Sequence, residues 1–307
     1  MPHVPVLASE VITALQLCSG MLVVDCTLGD GGHAEAILEA IGPNGKLLGL
    51  DADAESLARA GKRLARFRKQ ITLVNDNFAH LEKIIQQQKF GPVNAILMDL
   101  GWSSTQFAES GRGFSFQGDE PLDMRYDPGM TRETAAEIVN RFSEPELMKI
   151  FKQYGEEKFS QAIAAAIVKE RQRLPIARTG QLTEIILAVY RNQLKSKKEV
   201  PWVGGLHPAT KIFQALRIAV NHELEALRQA LPPAVAALAP SGRLAIITFH
   251  SLEDRIVKQW FAAAARREEV KLITKKPLVP SAAEIAANPR ARSAKLRVVE
   301  KVVARSR

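Results

Sequence analysis

Short apolar runs alternate with amphipathic stretches along the first hundred residues. Each run is apolar at consecutive positions, which is typical of a parallel sheet covered by helices on both faces. The runs predict strands over Leu22–Thr27, Lys46–Leu50, Thr72–Asn75 and Ala95–Leu100. The stretches between them have apolar residues at helical spacing and predict helices over Ala34–Ile41, Ala54–Phe67 and Phe78–Gln88. This alternation predicts an α/β fold with a doubly wound, Rossmann-like sheet.

The middle of the chain has a different pattern. After a segment rich in Gly, Asp and aromatic residues, only helical spacing is found between Arg132 and about Leu194. It predicts helices over Thr134–Arg141, Glu144–Tyr154, Phe159–Arg173 and Gln181–Leu194. Ser143 followed by Pro145 and Glu146 is typical of an N-cap, with proline and acids in the first turn.

The α/β pattern then returns. It predicts a helix over Lys211–Leu231 that ends at Pro232 and Pro233, a strand over Gly242–Phe249, a helix over Leu252–Arg267 and an edge strand over Leu296–Val303. The simplest arrangement is a discontinuous α/β domain of residues 1–112 and 208–307. An all-helical subdomain of residues 113–207 is inserted into it.

The first strand ends in a glycine-rich bend, Gly29–His33, and a helix begins at Ala34. Glycines allow a ligand close to the backbone, and amides at a helix start donate hydrogen bonds. The second strand ends in Asp51, where a carboxylate can bind the two hydroxyls of a ribose. The sequence therefore predicts a nucleoside-cofactor site. The spacing also fits the dinucleotide fingerprint G-x-G-x-x-[GA], so a nicotinamide-dependent oxidoreductase is one interpretation.

Other polar residues near the bend favour S-adenosylmethionine. Asp25 precedes the bend, and Asp30 and His33 lie within it, which suits a ligand with an amino acid moiety better than a bare pyrophosphate. Asp99 ends the fourth strand, where a carboxylate can stabilise a cationic sulfonium. Methyl transfer from a sulfonium needs alignment more than an activated nucleophile, so we assign no catalytic base.

Three further residues are candidates on position alone. Phe78 follows the third strand, where an aromatic ring can stack on an adenine, although a core position is the alternative. Gln106 lies in the loop after the fourth strand, where amine-methylating enzymes present the acceptor, and its amide both donates and accepts. His250 ends the fifth predicted strand and is a weak candidate for a catalytic group, with a role at the helix start as the alternative.

Charge and composition define the expected partners. Of the 307 residues, 241–307 hold 15 Lys and Arg against 6 Asp and Glu, whereas the rest of the chain is balanced. This excess predicts a polyanionic partner contacted by Arg290, Arg292 and Lys295, with a solubilising surface as the alternative. The two cysteines form no metal-ligand pattern, so we expect neither a disulfide framework nor a metal. No apolar run spans a bilayer and no secretory signal is evident, so we expect a cytoplasmic protein.

The chain also resembles the bacterial ribosomal RNA small subunit methyltransferase H family along nearly its whole length. The similar motifs include Gly29–His33, Asp99–Ser104, Arg112–Phe116, Pro121–Arg125, Tyr154–Glu157, His207–Thr210, Phe213–Ile218, Phe249–Arg255 and Asn288–Ser293. The resemblance implies an S-adenosylmethionine-dependent enzyme that methylates N4 of a cytidine in 16S rRNA. The substrate is expected near the decoding centre of the small ribosomal subunit, and the helical insertion is expected to help bind RNA.

The resemblance also implies a role for each cofactor-binding residue. Contact with the methionine part is implied for Gly31, Gly32 and His33, contact with the ribose for Asp51, contact with the adenosine for Phe78 and Asp99, and closure of the site for Gln106. Trp102 and Thr105 depart from the valine and proline usual in the family, which changes the expected shape of the acceptor loop. A ribosome-assembly protein without turnover is a further alternative, and the oligomeric state is left open.

Overall fold

The computed structural model of the protein describes residues 5–100, 111–129, 133–195 and 206–303. Within these ranges it contains the strands β1 (Leu22–Asp25), β2 (Lys46–Asp51), β3 (Ile71–Asn75), β4 (Val93–Asp99), β5 (Leu238–Thr248), β6 (Val270–Leu272) and β7 (Lys295–Lys301). They form one sheet in the order β3-β2-β1-β4-β5-β7-β6. The first five strands pair in parallel, and β7 is antiparallel to its neighbours. The predicted doubly wound α/β fold is confirmed.

The helices of the same ranges are α1 (Ala8–Leu15), α2 (Gly32–Ile41), α3 (Ala54–Arg63), α4 (Leu81–Gln87), α5 (Ala135–Arg141), α6 (Glu144–Gly155), α7 (Ser160–Arg171), α8 (Thr179–Leu194), α9 (Ala209–Asn221), α10 (Glu223–Ala237), α11 (Ser251–Arg266) and α12 (Ala282–Ala287). None of the helices in these ranges is long and apolar enough to cross a bilayer.

Two apolar layers lie on the two faces of the sheet. Neighbouring residues of one strand enter opposite layers: one layer includes Val23, Leu47 and Leu97, and the other includes Val24, Leu48 and Ile96. Because both faces are covered, the strands are apolar at consecutive positions rather than alternating. This burial holds the strand ends, and the loops that follow them, in fixed positions.

The chain divides into two compact units. The sheet unit comprises Met1–Ser103 and Leu224–Arg307, and the helical unit comprises Ser104–Glu223. Helix α9 belongs to the helical unit because it packs closely on α6: a Cβ at Gly155 would lie 2.6 Å from the carbonyl oxygen of Lys211. These compact units divide after Ser103 and after Glu223. The predicted domain limits at 112/113 and 207/208, and the assignment of the helical insertion to RNA binding, stay predictions.

The helical unit uses the predicted cap at Ser143. The Glu146 carboxylate accepts hydrogen bonds from the Ser143 amide at 2.8 Å and from its hydroxyl at 2.6 Å. Thr134 and Glu137 form a second capping box at the start of α5. Such caps satisfy amides that lack partners within the helix.

The single helix predicted over Lys211–Leu231 is wrong in two respects. It is broken at His222, which has a left-handed backbone (φ 51°), and α10 then continues through Pro232 and Pro233 to Ala237. The break is fixed by Asn221, whose side-chain amide donates to the Met124 carbonyl at 2.7 Å. The prolines are tolerated because the last turns of α10 are held in the core by buried apolar residues.

Candidate cofactor site

Three acidic residues end neighbouring strands, at the edge of the sheet formed by the carboxyl ends of the parallel strands. Asp25 ends the central strand β1, and Asp51 and Asp99 end the flanking strands β2 and β4. Asp25 pairs in register with Gly49 and Leu97, so the two flanking strands extend two residues further. In an open α/β sheet this edge, beside the strand where the order reverses, is where ligands bind.

The glycine bend after β1 is fixed by backbone hydrogen bonds and turns tightly. The Leu28 amide donates to the Leu50 carbonyl at 2.8 Å, and the Gly31 amide donates to the Leu28 carbonyl at 2.9 Å. Gly29 and Gly31 have φ values of +52° and +81°, a region that favours glycine. A Cβ at Gly29 would meet no atom within 4 Å, so the backbone there is open to close approach.

Asp51 connects the bend to the start of α3. Its Oδ2 accepts a hydrogen bond from the Gly29 amide at 2.7 Å, and its Oδ1 accepts one from the Asp53 amide at 2.8 Å. Burial raises the pKa of Asp51 to about 6, although these two bonds act to lower it. Each oxygen of an ionised carboxylate can accept a further hydrogen bond, which suits the two hydroxyls of a ribose.

Asp25, His33 and Asp99 form a buried charged group beneath the bend. His33 Nε2 lies 3.4 Å from Asp99 Oδ2, and the Asp99 amide donates to Thr27 Oγ1 at 2.6 Å. Burial is the largest single influence on the pKa of His33 and lowers it, whereas the hydrogen bond and the charge of Asp99 raise it. The charges of Asp25 and Glu284 add to this effect, so the pKa of His33 lies above its usual value. The imidazolium is therefore favoured between two acids.

Asp25 is fully buried. Its Oδ1 accepts a hydrogen bond from the Thr27 amide at 3.1 Å, whereas its Oδ2 has no hydrogen-bond partner among the described residues. Burial raises the pKa of Asp25 to about 7, and the charge of His33 limits the increase. A buried carboxylate oxygen without a partner is costly, and it is expected where a polar ligand group is to be bound.

An arginine that the sequence analysis missed connects the bend to α3. Arg59 Nε donates to Asp30 Oδ1 at 2.8 Å, and an Nη donates to the Ser56 hydroxyl at 2.8 Å. The Ser56 hydroxyl in turn donates to Asp53 Oδ2 at 2.9 Å, and Asp53 caps α3. Together with the hydrogen bond from the Asp53 amide to Asp51, these contacts form a hydrogen-bond network that runs from Asp51, the expected ribose ligand, to Asp30 in the middle of the bend.

Phe78 lies in a short turn after β3, next to this edge. The turn is capped by Asn77, whose Oδ1 accepts a hydrogen bond from the Ala79 amide at 2.9 Å. The end of β3 is tied to Asp51 because the Asp76 amide donates to the Asp51 carbonyl at 3.1 Å. Phe78 itself is half-buried and packs against one apolar layer, so it combines a core contact with a partly open ring.

The remaining candidates have different outcomes. His250 is the N-cap of α11: its Nδ1 accepts a hydrogen bond from the Glu253 amide at 3.3 Å, and its Nε2 lies 3.1 Å from Glu253 Oε1. These contacts give His250 the helix-start role that was the alternative to a catalytic one. Gln106, Trp102 and Thr105 lie outside the described residues.

Comparison with known proteins identifies the family. The model of the MraW methylase family matches residues 1–302. A ribosomal RNA small subunit methyltransferase H of Heliobacterium modesticaldum is 46% identical, over 98% of this chain and 98% of the relative. A protein of the same name from Thermomicrobium roseum is 47% identical, over 98% and 94%. A solved structure of an rRNA methylase from Streptococcus thermophilus aligns at a TM-score of 0.42 and 11% identity, over 96% of this chain and 92% of that one.

The family match covers both the sheet unit and the helical unit. It therefore includes the strand-end acids, the glycine bend and the inserted helices together. The family and the enzyme class predicted from the sequence are both confirmed: the chain belongs to the MraW methylase family.

Proposed function

We propose that this protein transfers a methyl group from S-adenosylmethionine to the exocyclic N4 of a cytidine in the 16S rRNA of the small ribosomal subunit. Family membership supports the reaction class and the rRNA substrate. The observation that supports the choice of cofactor is the set of three acids around the glycine bend, where Asp51 accepts a hydrogen bond from the Gly29 amide at 2.7 Å.

The residues present fit this cofactor. Asp25 has a buried carboxylate oxygen with no hydrogen-bond partner in the described part of the chain, and the backbone at Gly29 is open to close approach. Asp51 would hold the ribose hydroxyls, and Phe78 and Asp99 would border the adenosine. The methionine part would be held by Gly31, Gly32 and His33 at the start of α2, where the first amides of a helix have no partner within the helix.

The bound cofactor supplies an electrophilic methyl group on a cationic sulfonium. The task of this chain is then alignment and exclusion of water rather than activation of a nucleophile. The acids at the strand ends give the site a negative potential that favours a cation. The backbone of Asp99 is held by the hydrogen bond that its amide donates to the Thr27 hydroxyl, and its carboxylate is held by the contact with His33.

Two other functions were open from the sequence. A nicotinamide-dependent oxidoreductase was allowed only by the spacing of the bend, and the family match over residues 1–302 argues against it. A ribosome-assembly protein without turnover differs from the proposed enzyme only in that it transfers no methyl group. It would bind precursor particles but leave every cytidine unmodified.

The test uses the full-length protein, S-adenosylmethionine with a labelled methyl group, and small subunits from cells that lack this enzyme. We expect label in 16S rRNA, and nucleoside mass spectrometry should identify it as N4-methylcytidine. Asp51→Asn, assayed at low cofactor concentration, should transfer much less label. Particle binding without transfer by the wild-type protein would instead identify an assembly factor, and label on another nucleoside would reject the proposed target.

A further inference from the structure

A basic segment between β6 and β7 lies at the same sheet edge as the cofactor site. Residues 273–294, called here the β6–β7 excursion, leave the sheet after Leu272 and return at Lys295. Lys295 pairs with Thr248 at the carboxyl end of β5. Because β6 is antiparallel to β7, the chain leaves β6 in the direction of this edge, and Leu278 pairs with Leu296 next to it. Asp25 and Asp99 lie at the same edge.

The excursion is anchored rather than loose. Leu278 and Leu296 exchange two backbone hydrogen bonds of 2.9 Å each. Ala291 is buried in the same apolar layer as Ala34 of α2. Glu284 Oε1 accepts a hydrogen bond from the Leu7 amide at 2.7 Å. Because the Glu284 charge also acts on His33, the excursion is held at a fixed position near the start of the helix that follows the glycine bend.

Four exposed cations lie on the excursion: Lys275, Lys276, Arg290 and Arg292. Its one acidic residue, Glu284, is bonded to the Leu7 amide, and none of the four cations has a carboxylate within ion-pair distance among the described residues. The basic cluster predicted from the sequence is corrected at Lys295. Its ammonium lies 3.3 Å from Asp254, which also binds Arg297 at 2.7 Å, so Lys295 is already paired.

We infer that the β6–β7 excursion is a docking surface for the phosphodiester backbone of the RNA next to the methylated nucleotide. Phosphate contacts from exposed Lys and Arg position a nucleic acid without reading its sequence. Cations fixed at the edge that holds the methyl donor can therefore align a strand beside it. The identity of the polyanion as rRNA rests on the proposed function.

The test compares pairs of substitutions with the same change of charge. Lys275→Gln with Lys276→Gln, and Arg290→Gln with Arg292→Gln, each remove two cations from the excursion. Arg68→Gln with Lys69→Gln is the matched control. These exposed residues precede β3, so they lie at the amino ends of the parallel strands, away from the carboxyl ends where the cofactor site is. Binding of each full-length variant to transcribed 16S rRNA is measured over a range of salt concentrations.

We expect each excursion pair to lower the slope of log affinity against log salt by about 1.4, that is ~0.7 for each phosphate of single-stranded RNA that is no longer neutralised. The KM for small subunits should rise, while the affinity for S-adenosylhomocysteine and the circular dichroism spectrum stay unchanged. The control pair should leave the slope as in the wild type.

Unchanged slopes in both excursion pairs, or an equal decrease in the control pair, would overturn the inference. So would weaker binding to anionic phosphatidylglycerol vesicles with RNA binding intact, since that result identifies a membrane surface. Failure of the proposed function is distinguishable, because the wild-type protein would then transfer no methyl group whatever the variants bind.

Discussion

Two strand-end acids of the sheet unit and one acid of the helical unit have opposite environments. In the sheet unit, Asp25 and Asp51 have no arginine or lysine partner among the described residues, and burial raises their pKa values to about 7 and about 6. In the helical unit, Asp123 is half-buried, and burial by itself raises its pKa. Its carboxylate accepts hydrogen bonds from the Arg125 guanidinium at 2.7 and 2.8 Å and from the Arg125 amide at 3.0 Å, and these bonds and the charges of Arg125 and Arg112 together lower the pKa.

The difference indicates two uses of one side chain. A carboxylate bound by arginine is satisfied and braces the fold, as Glu223 does with Arg217. A carboxylate buried without a cation costs stability, and it is retained where a ligand supplies the missing contacts. Mutation of an acid that is bound by arginine should therefore lower the free energy of unfolding. Mutation of an acid that is buried without a cation should instead lower the affinity for the cofactor.

The largest expected effect is on the stability of the helical unit. The Arg217 and Glu223 side chains are each 12% exposed and lie 2.8 Å apart. Arg217→Ala leaves Glu223 without its cation and should lower the free energy of unfolding by about 3 kcal/mol, measured by urea denaturation. Arg191→Ala is the control, because its pair with Glu184 is exposed and 3.8 Å long. Removal of that pair should cost under ~0.5 kcal/mol, and equal decreases would refute the distinction.

The next effect is on cofactor binding. Asp51→Asn removes a charged acceptor and should weaken S-adenosylhomocysteine binding by about 1–3 kcal/mol, roughly fivefold to 150-fold, measured by calorimetry. The unfolding free energy should not fall by a similar amount, because the Asp51 charge is itself unfavourably buried. Asp123→Asn is the matched variant and should show the reverse pattern, with lower stability and unchanged affinity. If both variants changed affinity and stability in the same way, the distinction between Asp51 and Asp123 would be contradicted.

A smaller effect is expected from Asp25, with a defined dependence on pH. A pKa of about 7 in the folded protein, above the usual 3.8, means that the folded state favours the protonated acid. Its contribution to stability is therefore present at low pH and is lost as the pH rises through about 7. Asp25→Asn should raise the unfolding free energy at pH 8 by about 1–2 kcal/mol, with a smaller gain at pH 5. Lower stability of the variant at pH 8 would contradict the raised pKa.

The smallest effect concerns Asp30, the acid of the bend that is paired with an arginine. Arg59 is about one-third exposed, so its contact with Asp30 is worth less than a buried pair. Arg59→Gln should weaken S-adenosylhomocysteine binding by about 1 kcal/mol, roughly fivefold, through a less ordered bend. Arg63→Gln breaks a similar 2.9 Å pair on the same helix, but with Glu35 outside the bend, and should leave affinity unchanged. Equal affinities in the two variants would exclude a positioning role for Arg59.

The sheet and its ligand edge could be predicted because the determining features are local. Apolar runs that end in Gly or Asp predict a buried strand and the turn after it, and Asp25, Asp51 and Asp99 all end their strands. The strand order then places them at neighbouring positions. Ser143 was predictable for the same reason, since a cap and its Glu146 partner lie three residues apart.

Contacts between distant segments could not be predicted. Arg59 reaches Asp30 across 29 positions, and Asp254 reaches Lys295 across 41, and neither spacing leaves a pattern in the sequence. The break at His222 was missed because it depends on the bond from Asn221 to Met124, whereas helical periodicity continues through it. Helices α1 and α12 and strand β6 were missed because they are short, with 8, 6 and 3 residues.

The most direct test of the central claim is the affinity for S-adenosylhomocysteine between pH 5 and pH 8, in the wild-type protein and in Asp51→Asn. Ribose binding needs the ionised carboxylate, and the Asp51 pKa of about 6 means that protonation removes it below that pH. The wild-type affinity should fall by up to about tenfold per pH unit below pH 6 relative to the variant. A wild-type profile that runs parallel to that of Asp51→Asn would show that this carboxylate does not hold the cofactor.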